Sequence, residues 1–405
     1  MLDDFGQRIR DIILSEMDLS RELSDEEICD LIGSVVSREA RDRPMTIKDR
    51  AELERTIFNS LRKLDVLQEL VDDRDVTEIM VNGPNDIFYE KAGRIQKFKG
   101  HFSSEEKLED VIQQIVGRHN RVVNQASPIV DTRLSDGSRV NIVLNPISIG
   151  GSAVSIRKFP EHPMSMERLV EIEALSPEVA RLLQILTQAK YNIFISGGTG
   201  SGKTTFLNAL SQYIPDDERI ITIEDSAELQ LLGAKNIVRL ETRNANTDGV
   251  TPITIRDLIR TALRMRPDRI IVGECRGAEA LDMLQAMNTG HDGSLSTGHA
   301  NSPHDIISRI ETMVLQGQDF PLNAIRQQIA SGIDIIVQLG RLRDKSRRVL
   351  EVSEVDGFVG GEIVLHTLYR FEETGVLDSG RIQGFLKKAG TLCHTDKLMA
   401  AGLSV

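Results

Sequence analysis

The stretch from 191 to 213 constrains the fold more than any other part of the sequence, because it places a glycine-rich loop between an apolar segment and a helix-like segment. It reads YNIFIS, GGTGSGKT and, from Thr204 onward, TTFLNALSQY. The central part has the spacing of a phosphate-binding loop (P-loop), and the flanks supply the strand and the helix that such a loop requires. A glycine-rich turn that matches by chance is the alternative, and the flanking segments disfavour it.

The neighbouring sequence extends this unit into a larger arrangement. Helix-like and strand-like segments alternate between 176 and 300: SPEVARLLQILTQAK, RIITIED, TIRDLIRTALRM, RIIVGE, AEALDMLQAMNT and SLSTGHA. Such alternation is typical of βαβ units with helices on both faces of a parallel sheet. The sequence therefore predicts an α/β fold with a parallel-sheet core.

The loop predicts phosphate chemistry. Glycines allow backbone N–H groups to curl around phosphate oxygens. Lys203 would place a cation over the β and γ phosphates of a nucleotide, and the Thr204 hydroxyl can ligate Mg²⁺. The predicted nucleotide-binding residues are Gly197, Gly198, Thr199, Gly200, Ser201, Gly202, Lys203, Thr204 and Thr205.

A second apolar segment, RIIVGE, ends on the carboxylate of Glu274. Ligands meet an open parallel sheet at the carboxyl ends of its strands, so Glu274 is predicted to face the γ-phosphate. Many P-loop enzymes end this strand on an aspartate that serves the metal, and Gly273 takes that place here. Glu274 would then polarise water, touch the magnesium shell, or both; a surface glutamate at a strand end is the alternative.

Two more polar stretches follow predicted strands. TIEDSAEL contains Glu224, Asp225 and Glu228, a crowd of acids that needs a cation or an arginine partner to offset the repulsion. NTGHDGSLSTGHANS contains His291 and His299. The residues alone leave a structural and a catalytic role open for each histidine.

The chain is expected to have several parts, since 405 residues exceed what one core usually organises. We predict a helical module at 1–71, a strand-rich α+β domain at 72–159, a proline-containing linker at 160–168, and a P-loop domain with C-terminal β hairpins at 169–405. The five basic residues within 341–348 are predicted to form a solvated hairpin tip.

Two helix starts are predicted from capping patterns. A capping box, Ser24 with Glu27, opens the helix in SDEEICDLIGSVVSREA. In SSEEKLEDVIQQIVGRH, Ser103 with Glu106 is predicted to do the same.

Composition excludes some classes of function. A net charge of −12, 4% aromatic residues and no tryptophan disfavour nonspecific binding to nucleic acid. The 3 cysteines are too scattered for a zinc site or a disulfide framework. The N-terminus lacks the pattern of an export signal, and no apolar run approaches the ~20 residues of a spanning helix. We expect a cytoplasmic protein whose contact with a membrane is peripheral.

Four motifs together resemble a known family. GGTGSGKTT, TIEDSAELQL, RPDRIIVGECRG and MNTGHDGSLSTGHANS resemble, in this order, the Walker A, Asp box, Walker B and His box of the secretion ATPase superfamily. That superfamily powers type II and type IV secretion, type IV pili and archaeal flagella. The resemblance covers roughly 70 to 370. VTEIMVNGPNDIFYEKAGRI, DTRLSDGSRVNIVLNPI and LRMRPDRIIVGECRGAEALDMLQAMNTGHDGS look closest to the CpaF/TadA branch, the motor of Tad (Flp) pili.

The resemblance implies a RecA-like P-loop domain preceded by a small PAS-like α+β domain. It implies ATP and Mg²⁺ as cofactors, with Glu274 as the catalytic glutamate and Glu224 and Glu228 around the metal and the water. His299 would sense the γ-phosphate, with His291 second to it. The lack of a four-cysteine zinc insert fits the Tad, VirB11-like and archaeal branches better than the pilus and type II motors that carry one.

The resemblance also implies a homohexamer that drives an inner-membrane platform protein to assemble or retract a pilus. In this superfamily, arginines of the strand-rich domain reach the phosphates, and the candidates are Arg133, Arg139 and Arg157. A VirB11-like type IV secretion ATPase and a RecA-like nucleic-acid motor are the alternatives. A GTP switch is a further one, although no Asn-Lys-x-Asp segment is present.

Overall fold

The computed structural model describes residues 4–17, 20–21, 23–42, 45–91, 93–118, 122–159, 163–243 and 251–405. The chain separates into two compact units, Met1–Glu161 and His162–Val405. Each unit has its own hydrophobic core. No helix within the described ranges is both long enough and apolar enough to cross a membrane.

The first unit begins with helices that pack on one another. They are α1 (Asp4–Glu16), α2 (Asp25–Glu39), a 3₁₀ turn (Ala40–Asp42), α3 (Ile47–Arg62) and α4 (Leu67–Asp72). The predicted capping box is confirmed, since the Ser24 hydroxyl accepts from the Glu27 amide and the Glu27 carboxylate accepts from the Ser24 amide. Ile28 and Ile32 on the apolar face of α2 are buried against Ile9 and Ile57.

An antiparallel sheet with one covering helix forms the rest of this unit. Its elements are β1 (Val76–Asn82), β2 (Ile87–Lys91), β3 (Arg94–Lys97), α5 (Glu105–Gly117), β4 (Ile129–Arg133), β5 (Arg139–Val143) and β6 (Ala153–Arg157). The strand order is β3-β2-β1-β6-β5-β4. The predicted cap of α5 is off by one residue: Ser104, rather than Ser103, accepts from the Lys107 amide at 3.2 Å.

The helical part and the sheet lie in the same compact unit, and Lys107 of α5 donates to the Ser60 carbonyl of α3 at 3.0 Å. The predicted domain boundaries stay predictions. In the predicted linker, residues 160–162 lie outside the described residues, and its last residues are helical, because α6 begins at Met166.

The second unit alternates helices and strands as the sequence predicts, and then continues with long hairpins. Its elements are α6 (Met166–Glu171), α7 (Pro177–Gln188), β7 (Ile193–Gly197), α8 (Lys203–Ser211), β8 (Arg219–Glu224), β9 (Asn236–Glu241), α9 (Ile255–Ala262), β10 (Arg269–Val272), α10 (Glu279–Asn288), β11 (Leu295–Gly298), α11 (Pro303–Gly317), α12 (Leu322–Gly332), β12 (Ile335–Arg341), β13 (Arg347–Val359), β14 (Glu362–Val376), β15 (Ile382–Lys388) and α13 (Asp396–Ala401).

One sheet runs through this unit in the order β15-β14-β13-β12-β7-β11-β10-β8-β9. The pairs from β12 to β9 are parallel, and those from β12 to β15 are antiparallel. Strands β7 and β10 are buried along their whole length, which is why their sequences are continuous apolar runs. The predicted α/β fold with a parallel core is confirmed, and it brings the carboxyl ends of β7, β11, β10 and β8 to one edge.

Candidate nucleotide site

The P-loop follows β7 at this carboxyl edge. Gly200 and Gly202 have φ values of +70° and +94°, in the left-handed region that favours glycine. The Ser201 hydroxyl donates to the Gly198 carbonyl at 2.8 Å, and α8 begins at Lys203. Thr204 is half-buried, whereas Thr199 and Thr205 are exposed. The loop therefore ends at a helix N-terminus, the part of a helix that attracts anions.

Lys203 points back into its own loop. Its side chain is buried, and its Nζ lies 3.1 Å from the Gly197 carbonyl and 3.2 Å from the Gly198 carbonyl. The same Nζ lies 3.2 Å from Nδ1 of His299. Burial lowers the pKa of Lys203; the Glu274 carboxylate raises it, and Arg276 lowers it further. A phosphate group would give this cation a stronger partner than carbonyl oxygens.

Glu274 and His299 meet beside Lys203, because β10 and β11 are adjacent and end at the same edge. Nε2 of His299 lies 2.7 Å from Oε1 of Glu274. The pKa of His299 is lowered, first by burial and then by the Lys203 charge, with Glu274 opposing. The ring is thus neutral near pH 7 and links Lys203 to the carboxylate.

Arg276 supplies the partner that the crowded acids need. Its Nε donates to Oε2 of Glu274 at 2.8 Å, and its Nη1 lies 3.7 Å from Oδ2 of Asp225. The guanidinium pKa is raised, chiefly by the hydrogen bond to Glu274, with contributions from the charges of Asp225 and Glu228. One guanidinium therefore balances acids from β10 and from the segment after β8.

Glu224 supports the loop that follows its strand. Its carboxylate is buried, and Oε2 accepts from the amides of Glu228 at 2.7 Å and Leu229 at 3.0 Å. A Cβ added at Gly273 would lie 2.8 Å from Cγ of Glu224, so a side chain there would collide with this carboxylate. Packing against Glu224 is the physical reason for a glycine at 273. The predicted roles of Glu224 and Glu228 around a metal stay predictions.

The structure does not bring His291 to this edge. His291 precedes β11, whereas His299 follows it, so the strand separates the two histidines. Nδ1 of His291 lies 3.3 Å from the Ala286 carbonyl, and the His291 carbonyl accepts from the Ser294 hydroxyl at 2.7 Å. Within one chain β11 therefore places the two histidines at opposite edges of the sheet, and the role of His291 second to His299 stays a prediction.

The candidate arginines lie in the first unit, in one row across its sheet. Arg133 faces Arg139 between β4 and β5, and Arg139 faces Arg157 between β5 and β6. Val140 and Ile156 on the opposite face are buried. Like charges directly opposite each other destabilise a sheet unless other groups offset them. Arg157 has Glu78 at 3.8 Å, and contact of the row with a nucleotide stays a prediction.

The residues present fit Mg²⁺ bound mainly through a nucleotide. Within the described residues, no cluster of His, Cys, Asp or Glu side chains forms a metal site by itself. Mg²⁺ usually keeps several waters and takes one or two protein ligands together with phosphate oxygens. The Thr204 hydroxyl, at the start of α8, can supply such a ligand.

Comparison with known proteins identifies the family. Residues 60–378 match the model of the type II/IV secretion system proteins. The chain belongs to this family. The match includes the P-loop, Glu274 and His299, together with the strand-rich part of the first unit.

Relatives of this type II/IV secretion system protein cover most of its length. The conjugal transfer protein TrbB of Rhizobium radiobacter is 32% identical over 317 residues, which are 77% of this chain and 93% of TrbB. The type IV secretion system protein PtlH of Bordetella pertussis is 32% identical over 320 residues, 73% of this chain and 94% of PtlH.

A solved structure shares the fold. The crystal structure of the pilus retraction motor PilT with bound ADP has a TM-score of 0.54 and 22% identity, over 81% of this chain and 83% of PilT. At that identity the likeness shows the α/β architecture of the family and nothing finer.

Arg276 is the residue of this site that sequence reasoning missed. The signal was present, because a guanidinium two residues after Glu274 is within reach of that carboxylate. What the sequence could not show is that the same side chain also faces the acids after β8, which needs β8 and β10 to be neighbours.

Proposed function

We propose that this chain is an ATPase motor of a secretion or pilus machine. The observation that supports it best is the contact series Lys203–His299–Glu274 at the carboxyl edge of the parallel sheet. It joins the cation of a P-loop to a strand-end carboxylate through a neutral imidazole. That arrangement provides a phosphate partner, a group that detects the phosphate, and a base for water in one place.

The residues have separable tasks in this proposal. The backbone N–H groups of 198–204 bind the phosphate oxygens, and Lys203 exchanges its carbonyl partners for the β and γ phosphates. Glu274 orients the attacking water and accepts its proton. His299 responds to the γ-phosphate. Mg²⁺, when it arrives with the nucleotide, neutralises charge on the phosphates.

Hydrolysis is proposed to need a ring of subunits. The transition state spreads charge over three oxygens, and one lysine leaves part of that charge uncompensated. The row Arg133, Arg139 and Arg157 supplies further guanidinium groups, and the family resemblance favours a homohexamer. Specific activity should then fall on dilution below the concentration at which the ring dissociates. A monomer that hydrolyses ATP at the full rate would contradict this part.

Two kinds of machine are candidates for the one that this motor serves, and both use members of the same family. The motif resemblance to the CpaF/TadA branch favours a Tad pilus and a platform protein at the cytoplasmic face of the inner membrane. The similarity to TrbB and PtlH favours a VirB11-like role in type IV secretion equally well. Deletion of the gene, with piliation and transfer of a mobilisable plasmid measured in parallel, separates the two.

The test of ATP hydrolysis is the purified chain with Lys203→Ala beside it. We expect Mg²⁺-dependent turnover by the wild type and none by the variant, with weaker nucleotide binding. Lys235→Ala is the matched control, because Lys235 is exposed and pairs only with Asp216 among the described residues. Unchanged turnover in Lys203→Ala would refute the assignment of the P-loop.

The competing functions are tested with the same preparation. Low-salt filter binding to single-stranded DNA and RNA should show no retention, since the net charge of −12 opposes it. Turnover of GTP compared with ATP tests the GTP switch. Preferential GTP use, or nucleic-acid-stimulated hydrolysis, would favour a different function.

A further inference from the structure

Of the five basic residues predicted to form a solvated tip on the β12–β13 hairpin, four are exposed as predicted, and one, Arg348, is not. Arg348 is buried, with Nη2 donating to the Ile382 carbonyl at 2.9 Å and Nη1 to the Glu173 carbonyl at 3.1 Å. Arg343 pairs with Glu373, with Nη1 2.6 Å from Oε2. These two arginines hold the hairpin to its own surroundings.

Arg347 reaches the P-loop instead. Its Nε donates to the Gly200 carbonyl at 2.8 Å. Its Cδ lies 3.4 Å from the position that a Cβ on Gly202 would take, so the side chain crosses the outer face of the loop. Within the described part of the chain, no carboxylate forms an ion pair with Arg347, and only its Nε has a hydrogen-bond partner. Two nitrogen atoms of the guanidinium are left to bind a ligand.

The position of Arg347 is fixed by the turn before it. Oδ1 of Asp344 accepts from the Ser346 amide at 2.9 Å, and Oδ2 accepts from the Ile382 amide at 2.8 Å. The hydrogen bond from the Ile382 amide, followed by that from the Ser346 hydroxyl, lowers the pKa of Asp344 to about 2. The ionised carboxylate thus ties the turn to β15, and Arg347 extends from a preorganised support.

A cavity of about 790 Å³ opens beside this arginine. Gly202 and Phe206 form its P-loop side, and Val349 and Leu169 give it apolar walls. Its volume is within the ~300–1,000 Å³ of small-molecule sites. Gly202 and Arg347 both line it, so a nucleoside placed here would lie beside the P-loop and this arginine.

We propose that Arg347 is a nucleotide-positioning residue. It braces the P-loop through the Gly200 carbonyl and binds phosphate oxygens of the nucleotide with its remaining N–H groups. This inference rests on the proposed ATPase function. A planar guanidinium suits the task, because it can serve the carbonyl and the phosphate oxygens at the same time. Contacts to phosphate oxygens other than those of the transferred group are equal in the ground state and the transition state, so they lower KM and leave kcat unchanged.

The test is a steady-state comparison of Arg347→Ala, Arg347→Lys and the wild type. We expect Arg347→Ala to raise KM for ATP by about 10-fold or more, the range of a lost hydrogen bond to a charged group, with kcat changed less than about twofold. Arg347→Lys should recover part of the affinity. Arg341→Ala is the matched control, because Arg341 is exposed in the same hairpin and does not line this cavity, and it should leave KM unchanged. ADP binding should weaken in Arg347→Ala, whereas adenosine binding should not.

The outcomes separate this inference from the proposed function. If the wild type neither binds nor hydrolyses ATP, the proposed function fails. If the wild type is active and Arg347→Ala keeps its KM, the positioning role is refuted while the ATPase stands. The role would also be refuted if nucleotide-free Arg347→Ala had a lower unfolding temperature and Arg341→Ala changed KM equally. The hairpin would then only be structural.

Discussion

Strand β10 carries an arginine–glutamate pair at each of its ends, and the two pairs differ in almost every respect. At the amino end, Arg269 is fully buried; its Nη2 lies 3.1 Å from Oε1 of Glu218, and its Nη1 donates to the Thr187 carbonyl at 2.7 Å. At the carboxyl end, the Arg276 side chain is 61% exposed and holds Glu274 beside Lys203.

The difference shows how one strand separates stability from chemistry. The buried guanidinium has protein partners in three segments of the chain, at Thr187, Glu218 and Gly293, so losing it leaves polar groups in the interior less well compensated. The exposed guanidinium is screened by water and adds little to stability, but it sets the position and charge environment of Glu274. Mutations at the amino end of β10 should therefore change the free energy of unfolding, and mutations at its carboxyl end should change ATP turnover.

The largest effect is expected at the buried end. Arg269→Ala should lower the free energy of unfolding by about 3–5 kcal/mol. The buried Glu218 carboxylate keeps only the more distant Lys190, at 3.7 Å, and the Thr187 carbonyl loses its donor. Urea unfolding followed by circular dichroism measures this. Arg276→Ala is the matched control, with an expected change below about 1 kcal/mol. Equal losses of unfolding free energy in the two variants would show that the two pairs do not differ in stability. If Arg269→Ala does not fold, Glu218→Gln provides the milder test.

A smaller effect, on turnover and not on stability, is expected from Arg276→Ala. Without Arg276, Glu274 keeps only its contact with His299 among the side chains of this site, so it is held less well and turnover should fall about tenfold or more. ATP affinity should change little, and Arg276→Lys should recover part of the rate. A turnover equal to that of the wild type would show that Arg276 balances charge only.

The smallest effect is expected from His299. His299→Ala should bind ATP normally and hydrolyse it severalfold more slowly, since the imidazole acts after binding. In the wild type, the loss of activity from imidazole protonation should lie below pH ~6.5, because burial and Lys203 lower the pKa of His299. If turnover of the wild type instead falls at or above that pH, and His299→Ala lacks this step, the ring is not neutral near pH 7. A much lower unfolding temperature of His299→Ala would favour a structural role.

The sequence was sufficient wherever the determinants are local. The P-loop, the apolar runs of β7 and β10, and the carboxyl-edge position of Glu274 follow from spacing and from the rule for parallel sheets. A strand between His291 and His299 also follows from the apolar run SLSTGHA, and it places the two histidines at opposite edges of the sheet. Arg348 was misjudged because its partner Glu173 is distant in sequence. The row of Arg133, Arg139 and Arg157 depends on strand register, which the sequence leaves open.

The most direct test of the account is ATP turnover by Glu274→Gln, measured together with ATP binding and unfolding. The amide keeps the shape of the side chain but cannot accept a proton from water. We expect turnover to fall about 10²-fold or more, with ATP binding and the unfolding temperature retained. Wild-type turnover in this variant would contradict the account, because Glu274 would then only end a strand.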